Sequence, residues 1–213
     1  MQDPQHPFYG YIAAYLQLQQ DCLRLIPIDA VFAAVTAIQA AHGRGSTVYL
    51  CGNGGSASMA SHFAADLNKS TMMPHLFDHA RRFRAIALTD NVALMTAWAN
   101  DVAYERVFAE PVRSLGQNGD ILFIISGSGN SPNVLAALDE AHARGMITIG
   151  LTGKNGGHLR ERSDICISVA TDAYEHNEPL HSVVFHIITF YLKQVLQQQT
   201  LPDSVAEPSQ RPA

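Results

Sequence analysis

The chain has 213 residues, 47% of them hydrophobic and 15% charged, which is enough for one well-buried core and too little for two comfortable domains. Its formal net charge of -5 offers no electrostatic footprint for a phosphate polymer or an anionic membrane, which argues against nucleic acid as a ligand. The opening MQDPQHPFYG lacks a basic start leading into an apolar core, and no apolar run approaches the ~18 residues of a membrane span, so a cytoplasmic location is expected.

In chain order, apolar periodicity predicts two helices before any strand, at about Tyr9 to Leu25 and about Asp29 to Ala41, the second closed by HGRG. From residue 46 short β-branched runs alternate with helical segments: TVYLC, FRAIALT, ILFIIS, MITIGLT and DICISVA. With so little polar alternation they read as strands of a parallel sheet covered on both faces. A last helix is expected from about Pro179 to about Gln198, followed by the proline-rich, aperiodic tail TLPDSVAEPSQRPA. The expected fold is therefore doubly wound α/β, a five-stranded parallel sheet flanked by helices, with one domain over 1–198 and a disordered tail over 199–213. Cys22, Cys51 and Cys166 are widely spaced in mostly apolar surroundings, which suits reduced core packing better than a disulfide framework.

Two strand-to-helix turns carry the polar signal. The first strand ends in Cys51-Gly52-Asn53-Gly54-Gly55-Ser56, with three glycines and a serine placed to cap the next helix. Glycines let backbone approach an anion and the helix N-terminus presents free N–H groups to it, although a plain tight turn uses the same residues. No Gly-Lys-Ser/Thr follows, so this is not a Walker A loop. The third strand ends in Ser126-Gly127-Ser128-Gly129-Asn130-Ser131-Pro132. Ser131 reads as an N-cap and Pro132 as the first helical residue. A turn needs one cap and this one has three hydroxyls, so a phosphate monoester is the favoured ligand.

His62 and Asp66 lie four apart on the helix after the first turn and share a face. Glu178 and His186 lie about two turns apart at the last helix, where Glu178 before Pro179 also suits a cap. Two imidazoles and two carboxylates form a plausible N/O ligand set for zinc.

The segments GNGGSA with HFAAD on the following helix, ANDVAY, ISGSGNS and GLTGKNGG resemble, in order, the signature segments of the phosphoheptose isomerases of the sugar isomerase (SIS) domain family. The similarity covers about residues 45 to 195. It implies a flavodoxin-like SIS fold and a sugar phosphate held by Ser126, Ser128 and Ser131. Position 127 is more often Thr in that turn, so Gly127 keeps an N–H and lacks a hydroxyl. Asn53, Gly54, Gly55, Ser56, Asp101 and Glu178 are implied as substrate contacts; Lys69 and Glu175 adjoin the same segments. By resemblance His62, Asp66, Glu178 and His186 bind one zinc ion, and Asp66 and His186 are the catalytic acid/base pair. The family has Glu at the position of Asp66 and Gln at that of Glu178. His181 is read as packing or as support behind the ligands. The implied reaction interconverts sedoheptulose 7-phosphate and D-glycero-D-manno-heptose 7-phosphate, in a homo-oligomer, a tetramer, whose sites draw on more than one subunit. Two rivals share these segments: a non-catalytic phosphosugar-binding SIS module, similar to the replication-initiator-associated proteins of the superfamily, and an isomerase of another phosphosugar. Both histidines and a carboxylate at 66 favour the enzyme.

Overall fold

The computed structural model describes residues 6–72 and 81–200, with side chains to 198. Helices α1 (Pro7–Leu23) and α2 (Ile28–Arg44) precede strand β1 (Thr47–Gly52). Helix α3 (Gly55–Ala65) runs on into a π-helical turn, Asp66–Ser70, before β2 (Arg84–Ala87). Then come α4 (Val92–Asp101), a 3-10 turn at Tyr104–Arg106, α5 (Ala109–Leu115), β3 (Ile121–Ser126) and α6 (Pro132–Ala143). The chain continues through β4 (Ile147–Thr152), α7 (Gly157–Arg162), β5 (Ile165–Ser168) and α8 (Tyr174–Thr200). The rest of the tail expected to be disordered lies outside the described residues.

The strands form one parallel sheet in the order β2-β1-β3-β4-β5. Strand order therefore reverses between β1 and β3, and an open α/β sheet binds ligands in the crevice at such a point, beyond the carboxyl ends of the strands. The two polar turns occupy those two ends. Strand β3 explains the unbroken apolar runs: Ile121, Phe123 and Ile125 pack into one layer, with α2, α3 and α8, while Leu122 and Ile124 pack into the other, with α5, α6 and α7. In the first layer Phe63 meets Phe123 edge-on at 5.1 Å and stacks on Phe185 at 5.4 Å. Each ring removed from water contributes roughly 1.5–3 kcal/mol, and the trio fixes α3 and α8, which carry the imidazoles described below.

Besides a two-residue shift of α1, two helix ends differ from expectation for physical reasons. Helix α8 starts at Tyr174, so Pro179 lies inside it. Proline has no N–H to give the carbonyl four residues back. That carbonyl, of Glu175, instead accepts from the Tyr15 hydroxyl at 2.8 Å, and Gln19 Nε2 donates to the neighbouring His176 carbonyl at 3.3 Å. Helix α1 thus completes the broken turn of α8. Helix α2 ends three residues later than expected, on Gly45 in the left-handed region at φ 78°. Arg81 and Arg84 donate to the Gly43 and Gly45 carbonyls there, complementing the negative helix end. No described helix is long and apolar enough to cross a membrane.

Candidate active site

The first turn leaves β1 at Gly52, where a Cβ would lie 2.7 Å from the Ile125 carbonyl oxygen and 2.8 Å from Ser56 Cβ. Only glycine lets β1 cross so close to β3. Gly54, at φ 55°, is the N-cap of α3. Ser56 is therefore not the cap; it is the second residue of the helix, buried, and lines the cleft beside the second turn. Asn53 and Asn133 exchange amide hydrogen bonds at 2.9 and 2.8 Å, and the Tyr104 hydroxyl donates to Asn53 Oδ1 at 3.1 Å. The two turns are thus fastened to each other.

In the second turn Ser126 Oγ accepts from Gly129 N at 3.2 Å and Ser128 Oγ from Asn130 N at 3.3 Å. Ser131 stands at the N-cap position as expected, yet its hydroxyl makes no cap hydrogen bond. That hydroxyl is not spent on the helix end. The GLTGKNGG segment and the two residues after it brace the turn from behind: Gly153 N donates to Gly127 O, Leu159 N to Gly129 O and His158 N to Asn130 Oδ1, each at 3.0 Å. Gly129, at φ 64°, is pressed against the Gly156 carbonyl so closely that no side chain fits.

Between the turns lies a cleft of about 120 Å³ lined by Asn53, Ser56, Ser126, Gly127, Ser128, Ser131, Tyr174 and Glu178, floored by Ile125. It is small beside the roughly 300–1,000 Å³ of ordinary ligand pockets, a size that suits one end of a small ligand. Glu178 approaches Gly55 at the start of α3, where a Cβ would collide with its carboxylate. The positive end of that helix favours a negative group. Asp101, at the end of α4, is exposed and accepts from Asn100; it is not among the cleft-lining residues.

About two helix turns further along, from Gly55 to His62 on α3 and from Glu178 to His186 on α8, Asp66 Oδ2 lies 3.6 Å from His62 Nε2 and 3.6 Å from His186 Nε2, with the imidazoles about half exposed and the carboxylate mostly covered. Ser70 Oγ donates to the other carboxylate oxygen at 2.9 Å. Buried Phe185 backs both rings, at 5.1 Å from His62 and 4.4 Å from His186. The candidate ligand atoms of His62, Asp66 and His186 all fall within 4.8 Å of one another. Two nitrogens and one carboxylate oxygen converging in this way suit zinc with an open position, so the donor set fits. Glu178 is outside this group. The shorter Asp66 still meets both imidazoles.

Behind the site His181 is fully buried, and burial pulls its imidazole down to about 4, an effect the nearby Thr152 backbone offsets without meeting hydrogen-bond geometry. It is neutral and reaches no solvent. Burial likewise pushes the Cys51 thiol up to about 12, which makes it inert. A larger cleft of about 570 Å³ opens at the amino end of the strands, among Arg44, Arg84, Tyr49 and Asp120. Its polar groups are occupied with backbone: Arg44 with Gly119 O, Arg84 with Gly45 O, Tyr49 with Leu115 O, and Asp120 with Thr47 N and Gln117 N. The convergent imidazoles and carboxylate and the two polar turns lie at the other end of the sheet. Sequence reasoning missed Tyr174 and Asn133; the latter stands two residues beyond the ISGSGNS segment, and neither lay within a motif segment.

The SIS domain model matches residues 11–153. A phosphoheptose isomerase of Thiobacillus denitrificans is 43% identical over 149 residues, 68% of this chain and 73% of its own length. The solved phosphoheptose isomerase of Neisseria gonorrhoeae superposes with a TM-score of 0.79 at 29% identity, over 90% of this chain and 100% of that one. That of Francisella tularensis gives 0.77 at 31% identity, over 91% and 100%. With its five-stranded parallel sheet and its two polar turns at the switch point, the chain belongs to the SIS domain family, among the phosphoheptose isomerases.

Proposed function

We propose that the chain interconverts sedoheptulose 7-phosphate and D-glycero-D-manno-heptose 7-phosphate, with the phosphate on the Ser126–Ser131 turn and the reacting carbons toward Asp66. The observation that carries this reading is the convergence of His62, Asp66 and His186 beside a cleft sized for one end of a substrate. Asp66 takes the proton from C1 of the ketose while His186 protonates the C2 oxygen, giving an enediol. Return of the carbon proton to C2 and loss of the O1 proton complete the aldose. Phosphate binding orients the carbons without touching them. His62, Asp66 and His186 would hold one zinc ion, which when bound supplies Lewis-acid polarisation of the carbonyl. Glu178, whose carboxylate approaches Gly55 and stands outside the convergent three, is read as a substrate-side carboxylate that would have to move toward them to serve as a fourth ligand. Residues 1–198 are taken as one SIS domain, acting in the cytoplasm. Purified protein incubated with sedoheptulose 7-phosphate, with and without zinc, should yield aldose; no aldose under either condition overturns the proposal.

Ser131 separates a phosphate seat from a plain cap. Its hydroxyl makes no cap hydrogen bond, so Ser131→Ala should shift stability by less than the ~1 kcal/mol typical of losing a cap. A hydrogen bond to the charged phosphate is worth about 1.5–3 kcal/mol, so affinity for sedoheptulose 7-phosphate should fall by about 10- to 100-fold. Calorimetry and thermal melts on the same variant check both halves.

The proposed homotetramer rests on exposed apolar surface. Ile28 and Phe32 are exposed, and Ile26, Val31, Val35, Ile187 and Tyr191 line the same apolar groove between α2 and α8. Contiguous apolar exposure of this kind marks an interface, and the half-exposed imidazoles leave room for a second subunit to complete the site. Light scattering at micromolar concentration should give four times the mass of one chain. A fully active monomer would sink the assembly.

A further inference from the structure

Asn177 lies on α8 between Tyr174 and Glu178, both of which line the cleft. Its side chain is 1% exposed, and among the described residues neither Oδ1 nor Nδ2 has a hydrogen-bond partner. A buried amide with both ends unpaired is costly, and native proteins keep few such groups without a use for them.

The amide faces the serine turn. A Cβ built on Gly127 would lie 2.9 Å from Asn177 Nδ2 and 3.4 Å from Oδ1, with Tyr174 Cε1 at 3.1 Å. Gly127 is absent from the positive-φ glycines, so its backbone conformation does not require glycine. What excludes a side chain is the space that Asn177 and Tyr174 already fill. The Asn177 amide therefore stands where a side chain at 127 would project, between Ser126 and Ser128.

The cleft lining contains no Lys, Arg or His and one carboxylate, Glu178. An anion held there depends on neutral donors, and Asn177 has two unspent N–H groups directly behind the turn. Resting on the reading of this turn as the phosphate seat, we propose that Asn177 is a further substrate-anchoring residue, whose Nδ2 donates to the phosphate across the gap left by the missing side chain of Gly127. The orphaned amide gains its partner only when substrate binds. Phosphate affinity and protein stability are then set against each other at this position.

The test is Asn177→Leu, close in size and without polar atoms. The KM for sedoheptulose 7-phosphate should rise by about 10- to 100-fold, as for loss of a hydrogen bond to a charged group, with the loss falling on KM rather than kcat. The melting temperature should hold or rise, because an unpaired buried amide has gone. Unchanged KM, or a raised KM with a matching drop in melting temperature, overturns the proposal, since the residue would then only pack. Should Asn177→Leu fail to fold, Asn177→Ala combined with Gly127→Ser serves instead. The new hydroxyl enters the vacated space, and calorimetric affinity for sedoheptulose 7-phosphate should exceed that of Asn177→Ala alone; no gain overturns the proposal. Ser131→Ala measured alongside separates the two levels. If it also leaves affinity unchanged, the serine turn is not the phosphate seat; if it weakens binding while Asn177→Leu does not, only the role of Asn177 falls.

Discussion

Replacing His186 with Gln is expected to lower turnover by about 10²–10⁴-fold, the usual loss when a positioned general acid/base is removed. The His186 ring is held by Phe185 at 4.4 Å and shares Asp66 Oδ2 with His62. Gln keeps a polar group of similar reach without a titrating nitrogen, so proton transfer is lost while the half-exposed position tolerates the change. Stability should move by less than about 0.5 kcal/mol, as at surface positions generally. The same substitution removes one of three convergent donors, so zinc retained after metal-free purification and reconstitution should fall as well. Steady-state kinetics and elemental analysis on one preparation check both effects. Full turnover in the variant removes His186 from the proton path, and full zinc content removes it from the ligand set.

The fold was legible because local signals and the sheet agreed. An unbroken apolar run such as ILFIIS reads as a strand covered on both faces, and β3 does divide its side chains between two layers. The turns were legible for a related reason: glycine and serine clusters at strand ends have few other uses. What escaped depends on partners distant in sequence. Pro179 looked like a helix start because nothing local reveals that Tyr15, 160 residues away, satisfies the freed carbonyl. Ser131 looked like a working cap, since capping is the default use of that hydroxyl at that position, whereas the structure leaves it unspent. The His62–Asp66 pairing followed from helical spacing. The π-helical turn that begins at Asp66 did not, because no residue type marks a π turn. Glu178 was grouped with His186 by spacing along α8, but approaches the start of α3 instead. The fit of Asn177 against Gly127 is a relation between two elements, and neither residue announces it alone.

Between pH 6.5 and about pH 4 the protein should lose about 3 kcal/mol of stability through His181 alone. The ring is fully buried without a hydrogen-bond partner, and burial pulls its pKa from 6.5 to about 4. The folded state therefore refuses a proton that the unfolded chain accepts below 6.5. The contribution is intact above pH 6.5, shrinks as the pH falls, and stops changing below about 4, where both states are protonated; at about 1.4 kcal/mol per pH unit the interval gives the stated size. His181→Leu removes the titrating group and two unpaired buried polar atoms together. At pH 7.5 the variant should match or exceed the parent in urea unfolding, and its stability curve between pH 6.5 and 4 should be flatter by about that same 3 kcal/mol. A variant that declines as steeply as the parent would place the acid sensitivity elsewhere.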